Sequence, residues 1–582
     1  MQRGIFHLSA CVLAAAAAQQ ANAQSAVERN LPPVPPASAA PIVQPNAVPS
    51  SEDATPLGVA LRAIVLLVPG DQPQADRQVA DGVDLSRTAQ LDRAAARAAL
   101  SRFIGRPLSR KLIAEIETEV ARQFRVVHRP FISLATPEQE ITGGALQIVV
   151  TEFRAGQVGV RGAGGRAAAS IRGRVRLNTG ETIDSSALTE DLDWLNRNPF
   201  RDASALFAPA STAGETDLTI AVNQRPQIRS YAGWTNTGSQ STGRDRFYIG
   251  TVAALPGLTD AYASYQLTGS SDFWKGGGTV LRNHPRYLAQ GARMYVPTFA
   301  RQNLEFTFSD ALTNQQVNAD FSVRQRTTEA TLGYRSALSE VGLPAGTGEI
   351  LFAIEGKRQH RQVFFGRDRV LNLSGNIWQG LVGWSKGWQG NGTQTSAALN
   401  VHASPGGISD GSSAARLAAL SNGRISSDRY AYVDLDISGA TRLSDNLSVT
   451  TQLSAQYSGT VLPLAAQIGL GGDGLVRGYT PDDGSFDAGV LSRTELRLAA
   501  FPVLRRTGQL RDQLSSFVFL DAGYGRDRAL KTSSSLASAG IGADYSIGRH
   551  FSAGLNSAWA LKDGQRTDRG DWRVQARTTV TF

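Results

Sequence analysis

The chain ends in the stretch "WRVQARTTVTF" (residues 572–582), whose side chains change character at every step. Trp572, Val574, Val580 and Phe582 fall on one face of an extended strand, because successive side chains of a β-strand point to opposite sides. Arginine, glutamine and threonine occupy much of the other face. A strand with one apolar face and one charged face is predicted to lie between an apolar and a wet environment.

The same alternation fills the C-terminal part of the chain. It recurs in "LEFTF" (304–308), "YVDLDIS" (432–438) and "SRTELRLA" (492–499), which polar loops separate. Soluble sandwiches also alternate, but here strand follows strand with charge on one face. A β-structure in lipid must be a closed barrel, because every backbone amide needs a partner. We therefore predict an antiparallel transmembrane β-barrel over residues 226–582.

The first residues predict export. Residues 1–23 combine a basic start at Arg3, an apolar run over 11–18 and a small-residue cleavage site, the pattern of a cleaved signal peptide. Cys11 is the single cysteine, so the processed chain would hold no disulfide. The stretch 8–11 also resembles a lipoprotein cleavage box, but its cysteine precedes most of the apolar run.

Between these regions the chain changes character twice. Residues 24–57 are rich in proline, alanine and serine and predict an extended tether, because such a composition cannot bury a core. Residues 58–153 follow the order strand, helix, helix, strand, strand, with Ser109 as the cap of the second helix. Residues 154–225 repeat a similar plan. We predict two small α+β modules, and the polar stretch 70–87 has no place in that plan.

The sequence carries none of the motifs that indicate an enzyme. Its six histidines have no metal-ligand spacing, and it lacks a P-loop, G-x-S-x-G and H-E-x-x-H. We expect no catalytic residue, no metal and no cofactor; a hydrolase assembled from separate strands is the alternative. The net charge of +9 fits a basic lumen or anionic lipid better than nucleic acid, because basic residues are not interleaved with aromatic ones.

Two short motifs carry a specific resemblance. "GLVRGYTPDDGS" (474–485) is too rich in glycine and proline for a helix or strand and predicts a loop. "FVFLDAGYG" (517–525) predicts a strand on which Asp521 and Phe519 share a face. A VRGY loop followed by F-x-D-x-G on a later strand, behind two small modules, resembles the TpsB family of two-partner secretion translocators, within the outer-membrane insertase superfamily. The resemblance covers nearly all of the processed chain.

This resemblance implies two POTRA (polypeptide-transport-associated) domains, POTRA 1 at 58–153 and POTRA 2 at 154–225, and a loop near 471–485 that folds into the barrel. We name residues 471–485 the latch loop. The motif residues on the latch loop and its partner strand are Val476, Arg477, Gly478, Tyr479, Phe519, Asp521 and Gly523.

We expect Arg477 to bind Asp521, because a guanidinium can hold a carboxylate through two parallel hydrogen bonds. We expect a wet lumen to weaken this pair, which would suit a contact that opens during transport. The alternative interpretation is that Arg477 only stabilises the barrel.

The family also implies a location and a function. We expect a monomer in the outer membrane of a Gram-negative bacterium, in contact with lipid, with its POTRA domains in the periplasm. It would capture an unfolded exoprotein and export it through a barrel of roughly 16 strands without nucleotide hydrolysis. Phe582 resembles the C-terminal signal that the barrel-assembly machinery recognises. The alternatives are an insertase, which typically has more POTRA domains, and a diffusion porin.

One departure from the family concerns the plug of the barrel. Family members often carry an N-terminal helix that fills the lumen, but here only residues 25–30 precede the prolines. We therefore expect no plug helix, and a lumen that the latch loop alone closes or that stays leakier.

Overall fold

The computed structural model describes residues 31–33, 42–43, 51–275, 285–390, 392–504 and 511–582. The predicted signal peptide, residues 1–23, lies outside this part, as does most of the predicted linker. The described residues form two units: one within Ser38–Arg225, and one made of Pro226–Phe582 with residues 31–33. No described helix is long and apolar enough to cross a membrane.

The first module is a four-stranded sheet with two helices. Strand β1 (Ile42–Val43) comes first in the chain, in the linker, and is not part of this sheet. The elements of the first module are β2 (Ala63–Leu67), β3 (Gly82–Asp84), α1 (Ala94–Ser101), α2 (Arg110–Val126), β4 (Ile132–Ala135) and β5 (Ala145–Glu152). The strand order is β3-β2-β5-β4, in which β2 runs parallel to both neighbours and β4 runs antiparallel to β5.

Helix α2 supplies much of the core of this module. It begins where the Ser109 hydroxyl accepts the Leu112 N–H at 3.1 Å, so the predicted cap is confirmed. Ile116, Val120 and Phe124 are fully buried in one cluster with residues of β2 and β5. Their spacing places them on a single stripe of the helix, which is the face that meets the sheet.

The polar stretch 70–87 closes one edge of the sheet. It forms a 3-10 turn (Asp76–Gln78) and strand β3, which pairs with β2. The buried carboxylate of Asp76 accepts the backbone N–H groups of Gly143 and Ala145. Gln74 and Gln147 exchange two hydrogen bonds of 2.9 and 2.7 Å. The stretch is polar because its side chains form hydrogen bonds with backbone groups at the sheet edge. Such contacts leave no apolar periodicity in the sequence.

The second module has a similar α+β plan, but one edge strand of its sheet comes from the linker. Its elements are β6 (Arg154–Arg161), α3 (Gly165–Arg174), α4 (Ser185–Leu195), β7 (Arg201–Pro209) and β8 (Glu215–Gln224). Helix α4 begins at Asp184, whose carboxylate accepts the N–H groups of Ser186 (2.8 Å) and Ala187 (3.0 Å). The strand order is β1-β7-β8-β6, so the linker strand β1 lies parallel against the edge strand β7.

In the described part of the chain, 16 antiparallel strands close into a barrel, as predicted. The circle is completed where β26 pairs with β9. The barrel strands are β9 (Ile228–Thr235), β10 (Arg246–Ala254), β11 (Tyr262–Gly269), β12 (Tyr287–Pro297), β13 (Gln302–Gln316), β14 (Phe321–Ala337), β15 (Glu349–Phe365), β16 (Asp368–Gly390), β17 (Thr393–Ser404), β18 (Tyr430–Ser444), β19 (Leu447–Ser458), β22 (Ala488–Leu498), β23 (Asp512–Asp527), β24 (Thr532–Ile547), β25 (Phe551–Ala560) and β26 (Trp572–Thr581).

The remaining elements lie in connections between barrel strands. Strands β20 (Ile468–Gly469) and β21 (Ser485–Phe486) pair with each other inside the long connection from β19 to β22. The helices are α5 (Ser271–Lys275) and α6 (Ala414–Leu420), and the 3-10 turns are Leu338–Val341, Asp410–Ser412, Leu464–Ala466 and Pro481–Asp483.

The two faces of the barrel wall follow the alternation of the sequence. On β23, Val518 and Leu520 are half exposed on the outer wall, whereas Phe519 and Asp521 are buried on the inner side. Apolar side chains therefore face outward, where lipid replaces water, and polar ones face the lumen.

Candidate functional site

The latch loop lies inside the barrel and is held there by an apolar cluster. Leu470, Val476, Tyr479 and Phe486 are buried together with wall residues Leu491, Leu536 and Ala560. The short β20–β21 pair gives the loop a hairpin base, and the turn between them carries the VRGY residues. Burial of these side chains keeps the loop in the lumen, since undocking would expose them to water.

Arg477 stands at the tip of the latch loop between two wall carboxylates. Its Nε and Nη2 donate to the two oxygens of Asp521, each at 2.7 Å, and its backbone N–H adds a third hydrogen bond at 3.2 Å. Its Nη1 donates to Glu495 at 2.6 Å. The structure thus brings the two motifs together through a bidentate, charge-assisted contact, the strongest class of side-chain hydrogen bond.

The contact is dry. Arg477 is 1% exposed and Asp521 is 0% exposed, so the expectation of a wet, weakened pair is wrong. The guanidinium carbon lies 3.6 Å from the centre of the Phe519 ring and 5.9 Å from that of Phe517, which cover its face. These rings exclude water from the pair and add a cation–π attraction.

Two glycines allow the loop to approach the wall this closely. Gly478 has a φ of +89°, in the left-handed region, and a Cβ built there would lie 3.3 Å from Ala558. At Gly523 on β23, a Cβ would lie 3.1 Å from the side chain of Val476. Both motif glycines therefore have a steric reason for the absence of a side chain.

Tyr479 and Asp483 fix the remainder of the loop. The Tyr479 hydroxyl lies 2.8 Å from the carbonyl oxygens of both Ala537 and Lys562. Asp483 accepts hydrogen bonds from the backbone and hydroxyl of Thr567 and from Thr480. Burial alone would raise the pKa of Asp483, but these hydrogen bonds hold it below its ordinary value. The part of the loop that follows Arg477 is therefore bound to β24 and to the connection between β25 and β26.

Sequence reasoning missed the charges that continue from Arg477 along the wall. Glu495 also binds Arg497 at 2.7 Å, and Arg497 binds Asp544 at 2.9 Å. Asp544 in turn accepts from Arg577 of the C-terminal strand at 2.9 Å. The alternation of "SRTELRLA" already placed Glu495 and Arg497 on the polar face, which was the available signal. Their contact with Arg477 required the strand order and register.

The far end of the loop connection is anchored by Asp487. Its carboxylate accepts from Arg424 at 2.7 Å and from the backbone N–H of Leu462 at 2.8 Å. Arg424 lies in the connection that carries α6. The latch loop is thus joined at its base to a neighbouring connection as well as to the barrel wall.

Parts of this chain are similar to known proteins. Residues 354–545 match the family model described as haemolysin secretion/activation protein ShlB/FhaC/HecB. The heme/hemopexin transporter protein HuxB of Haemophilus influenzae is 25% identical over 164 residues, which make up 28% of this chain and 29% of HuxB. Within residues 354–545 this chain is therefore similar to a family of secretion/activation proteins.

Two solved structures share the fold over most of this chain. CdiB from Escherichia coli superposes with a TM-score of 0.64 at 17% identity, and the match covers 93% of both chains. CdiB from Acinetobacter baumannii superposes with a TM-score of 0.56 at 15% identity and covers 92% of this chain and 91% of its own. At these identities the likeness shows that the chains share a fold.

Residues 31–33 of the predicted linker lie against the lumen side of the barrel wall. Pro32 is buried, and its carbonyl oxygen accepts from Arg293 Nε of β12 at 2.8 Å. The latch loop is therefore not alone in the lumen. Residues 25–30, on which the expectation about a plug helix rests, lie outside the described residues.

Phe582, at the end of the last barrel strand, faces outward. Phe582 is 75% exposed, and its backbone N–H donates to the Ser230 carbonyl of β9 at 2.8 Å. The aromatic ring is thus presented at the seam where β26 meets β9. Its role as an assembly signal stays a prediction.

Proposed function

We propose that this protein exports an unfolded partner exoprotein across the outer membrane in two-partner secretion. The observation that carries the proposal is the latch loop, which occupies the lumen and is bound at its tip by buried charges. A wide barrel that holds a removable obstruction suits the passage of an extended chain. A diffusion porin would have no use for periplasmic modules ahead of such a loop.

Capture of the exoprotein would take place on the POTRA modules. An extended peptide can add a strand to the edge of a sheet, where main-chain hydrogen bonds give affinity without a fixed side-chain sequence. Strand β4 is an outer strand of the first sheet and β6 of the second. The outer strands at the opposite edges, β3 and β1, have only three and two residues and offer a peptide little backbone to pair with. We therefore assign the first contacts with the exoprotein to β4 and β6.

Passage would require the latch loop to leave its docked position. Arg477 must then part from Asp521 and Glu495, and an incoming chain with polar backbone groups would take up the freed space. No nucleotide site supplies energy in this scheme; folding of the exoprotein outside the cell would make its exit directional.

The test is secretion in a heterologous Gram-negative host. The exoprotein encoded beside the gene is co-expressed with wild type, Arg477→Ala or Asp521→Ala at equal outer-membrane abundance. We expect secretion by wild type and loss of secretion by both variants, because export in this proposal needs a loop that returns to its docked position as well as one that leaves it; the barrels should remain heat-modifiable in gel migration. If wild type exports nothing and its removal depletes other outer-membrane barrels, the protein is an insertase and the proposal is wrong.

A further inference from the structure

A charged patch lies on the outer wall of the barrel, where apolar side chains are the rule. On β14 and β15, Thr327 and Gln359 are buried on the lumen side, so their sequence neighbours face outward. These outward residues, with one from β13, define the outer-wall patch: Asp310, Arg324, Arg326 and Arg358.

The strand register keeps the three arginines close together. Arg326 is directly opposite His360, and Arg358 is opposite Thr328, so Arg326 and Arg358 are diagonal neighbours on one face. Arg324 is two residues from Arg326 on the same strand. Diagonal positions of this kind lie about 7–8 Å apart, within reach of long side chains. One ligand of the size of a lipid headgroup can therefore contact all three guanidinium groups.

The outer-wall patch borders the apolar band of the barrel. Leu332, six residues after Arg326 on β14, faces Ile354, four residues before Arg358 on β15; both lie on the outer wall and are 55% and 64% exposed. Strand β9 follows the periplasmic modules in the chain, so the end of the barrel where β14 begins is extracellular. The patch thus lies on the extracellular side of this apolar row, the side on which the headgroups of an outer leaflet border its hydrocarbon.

The charges of the patch are not balanced within it. Arg326 binds Asp310 through two hydrogen bonds of 2.8 and 3.0 Å, which uses the single carboxylate. Three arginines and one aspartate leave a net charge of +2. Arg358 is exposed, and Arg324 Nε is buried without a hydrogen-bond partner among the described residues. The guanidinium of Arg324 also lies 5.0 Å from the ring of Phe364, which limits its movement.

We propose that the outer-wall patch binds the phosphate groups of a lipid of the outer leaflet, of the bisphosphorylated lipid A class. Arginine forks bind phosphate oxygens in pairs, and clustered basic residues beside an apolar surface attract anionic headgroups. The acyl chains lie against the apolar rows that contain Leu332 and Ile354. This site is independent of the latch loop and of the proposed export function.

Other strands show that such a patch is not a general property of this barrel wall. The extracellular ends of β17 and β18 carry Ala403 and Ala431 on the outer face. Arg526 on β23 also faces outward and is exposed, but it stands on a strand remote from β14 in the barrel order. Arg526 therefore serves as a matched control.

The test measures lipid binding to the full-length protein in detergent by native mass spectrometry. The probes are bisphosphorylated lipid A and its dephosphorylated form, and excess inorganic phosphate serves as the competitor. We expect wild type to prefer the phosphorylated lipid. Arg326→Gln and Arg358→Gln should each weaken its binding about fivefold, the effect of one basic residue near an anionic surface. Arg358→Lys should retain most of the affinity, and Arg526→Gln should match wild type.

Heat-modifiable migration on gels establishes that each variant is folded. If Arg326→Gln fails to fold because Asp310 loses its partner, lipid binding by Arg358→Gln is the measurement that tests the proposal. Equal binding by wild type and Arg358→Gln, or equal binding of the two lipid forms, would overturn the proposal. Displacement of the lipid by inorganic phosphate would assign the patch to free anions instead and would also overturn it.

Discussion

Replacement of Arg477 by alanine tests whether the buried contact holds the latch loop in place. The substitution leaves Asp521 and Glu495 in the wall without their common cation. Loss of one partner of a buried ion pair costs about 3–5 kcal/mol. Glu495 keeps Arg497 at 2.7 Å, and Arg493 Nε lies 4.0 Å from Asp521, so both acids retain some compensation. We therefore expect Arg477→Ala to destabilise the docked loop by about 3 kcal/mol, the lower end of this range. A loss of that size lowers the ratio of docked to undocked loop about 150-fold.

Thiol labelling measures this ratio directly. Val476→Cys places a thiol where the side chain is 0% exposed, next to Arg477 at the loop tip. Its rate of reaction with a membrane-impermeant maleimide reports how often the loop opens, provided that reclosing is fast. The predicted processed chain holds no other cysteine, since Cys11 lies in the signal peptide.

We expect Arg477→Ala to raise the labelling rate of Val476→Cys on the order of 100-fold. Arg526→Ala, which removes an exposed arginine from the outer wall, is the control and should leave the rate unchanged. An unchanged rate in Arg477→Ala would refute the reasoning, because the apolar cluster around the loop would then hold it without the ion pair.

Three further predictions concern other parts of the chain. Gly478→Ala should destabilise the docked loop by about 1–2 kcal/mol, because a side chain disfavours the left-handed backbone and crowds Ala558; the same labelling assay checks it. Ser109→Ala should lower the stability of the first module by about 1 kcal/mol through the loss of the cap on the Leu112 N–H, measured by the denaturant midpoint of limited proteolysis. Deletion of Phe582 should reduce the amount of heat-modifiable barrel in the outer membrane, measured at equal expression; an unchanged amount would contradict its role as an assembly signal.

Alternation predicted the inward direction of Asp521, and alternation together with a long run of strands that carry charge on one face predicted the barrel. Side chains of a strand alternate between its two faces, so once one residue of "FVFLDAGYG" is placed toward the lumen, the face of every other residue in the stretch follows. The same argument placed Glu495 on the lumen face. It could not show that Glu495 shares Arg477 with Asp521, because that contact depends on which strands are neighbours and in which register.

Other features escaped prediction because their stabilising groups are polar or distant in sequence. The stretch 70–87 stabilises the first module through Asp76 and Gln74, which bind backbone groups of residues 143–147. No local periodicity reports such a contact. The dryness of the Arg477 pair was missed for a related reason, since Phe517 and Phe519 were placed on the lumen face without an expectation that they cover the guanidinium.

A dry contact changes how the latch loop can open. A ligand shifts an equilibrium only by the difference in its affinity for the two states. If Arg477 stabilises the docked loop by about 3 kcal/mol, an exported chain must bind the undocked barrel about 150-fold more tightly than the docked one to cancel that contribution. A wet, weak pair would let the loop open in the absence of substrate. The buried pair instead makes opening depend on an occupant of the lumen, so the seal and the route for export can coexist in one barrel.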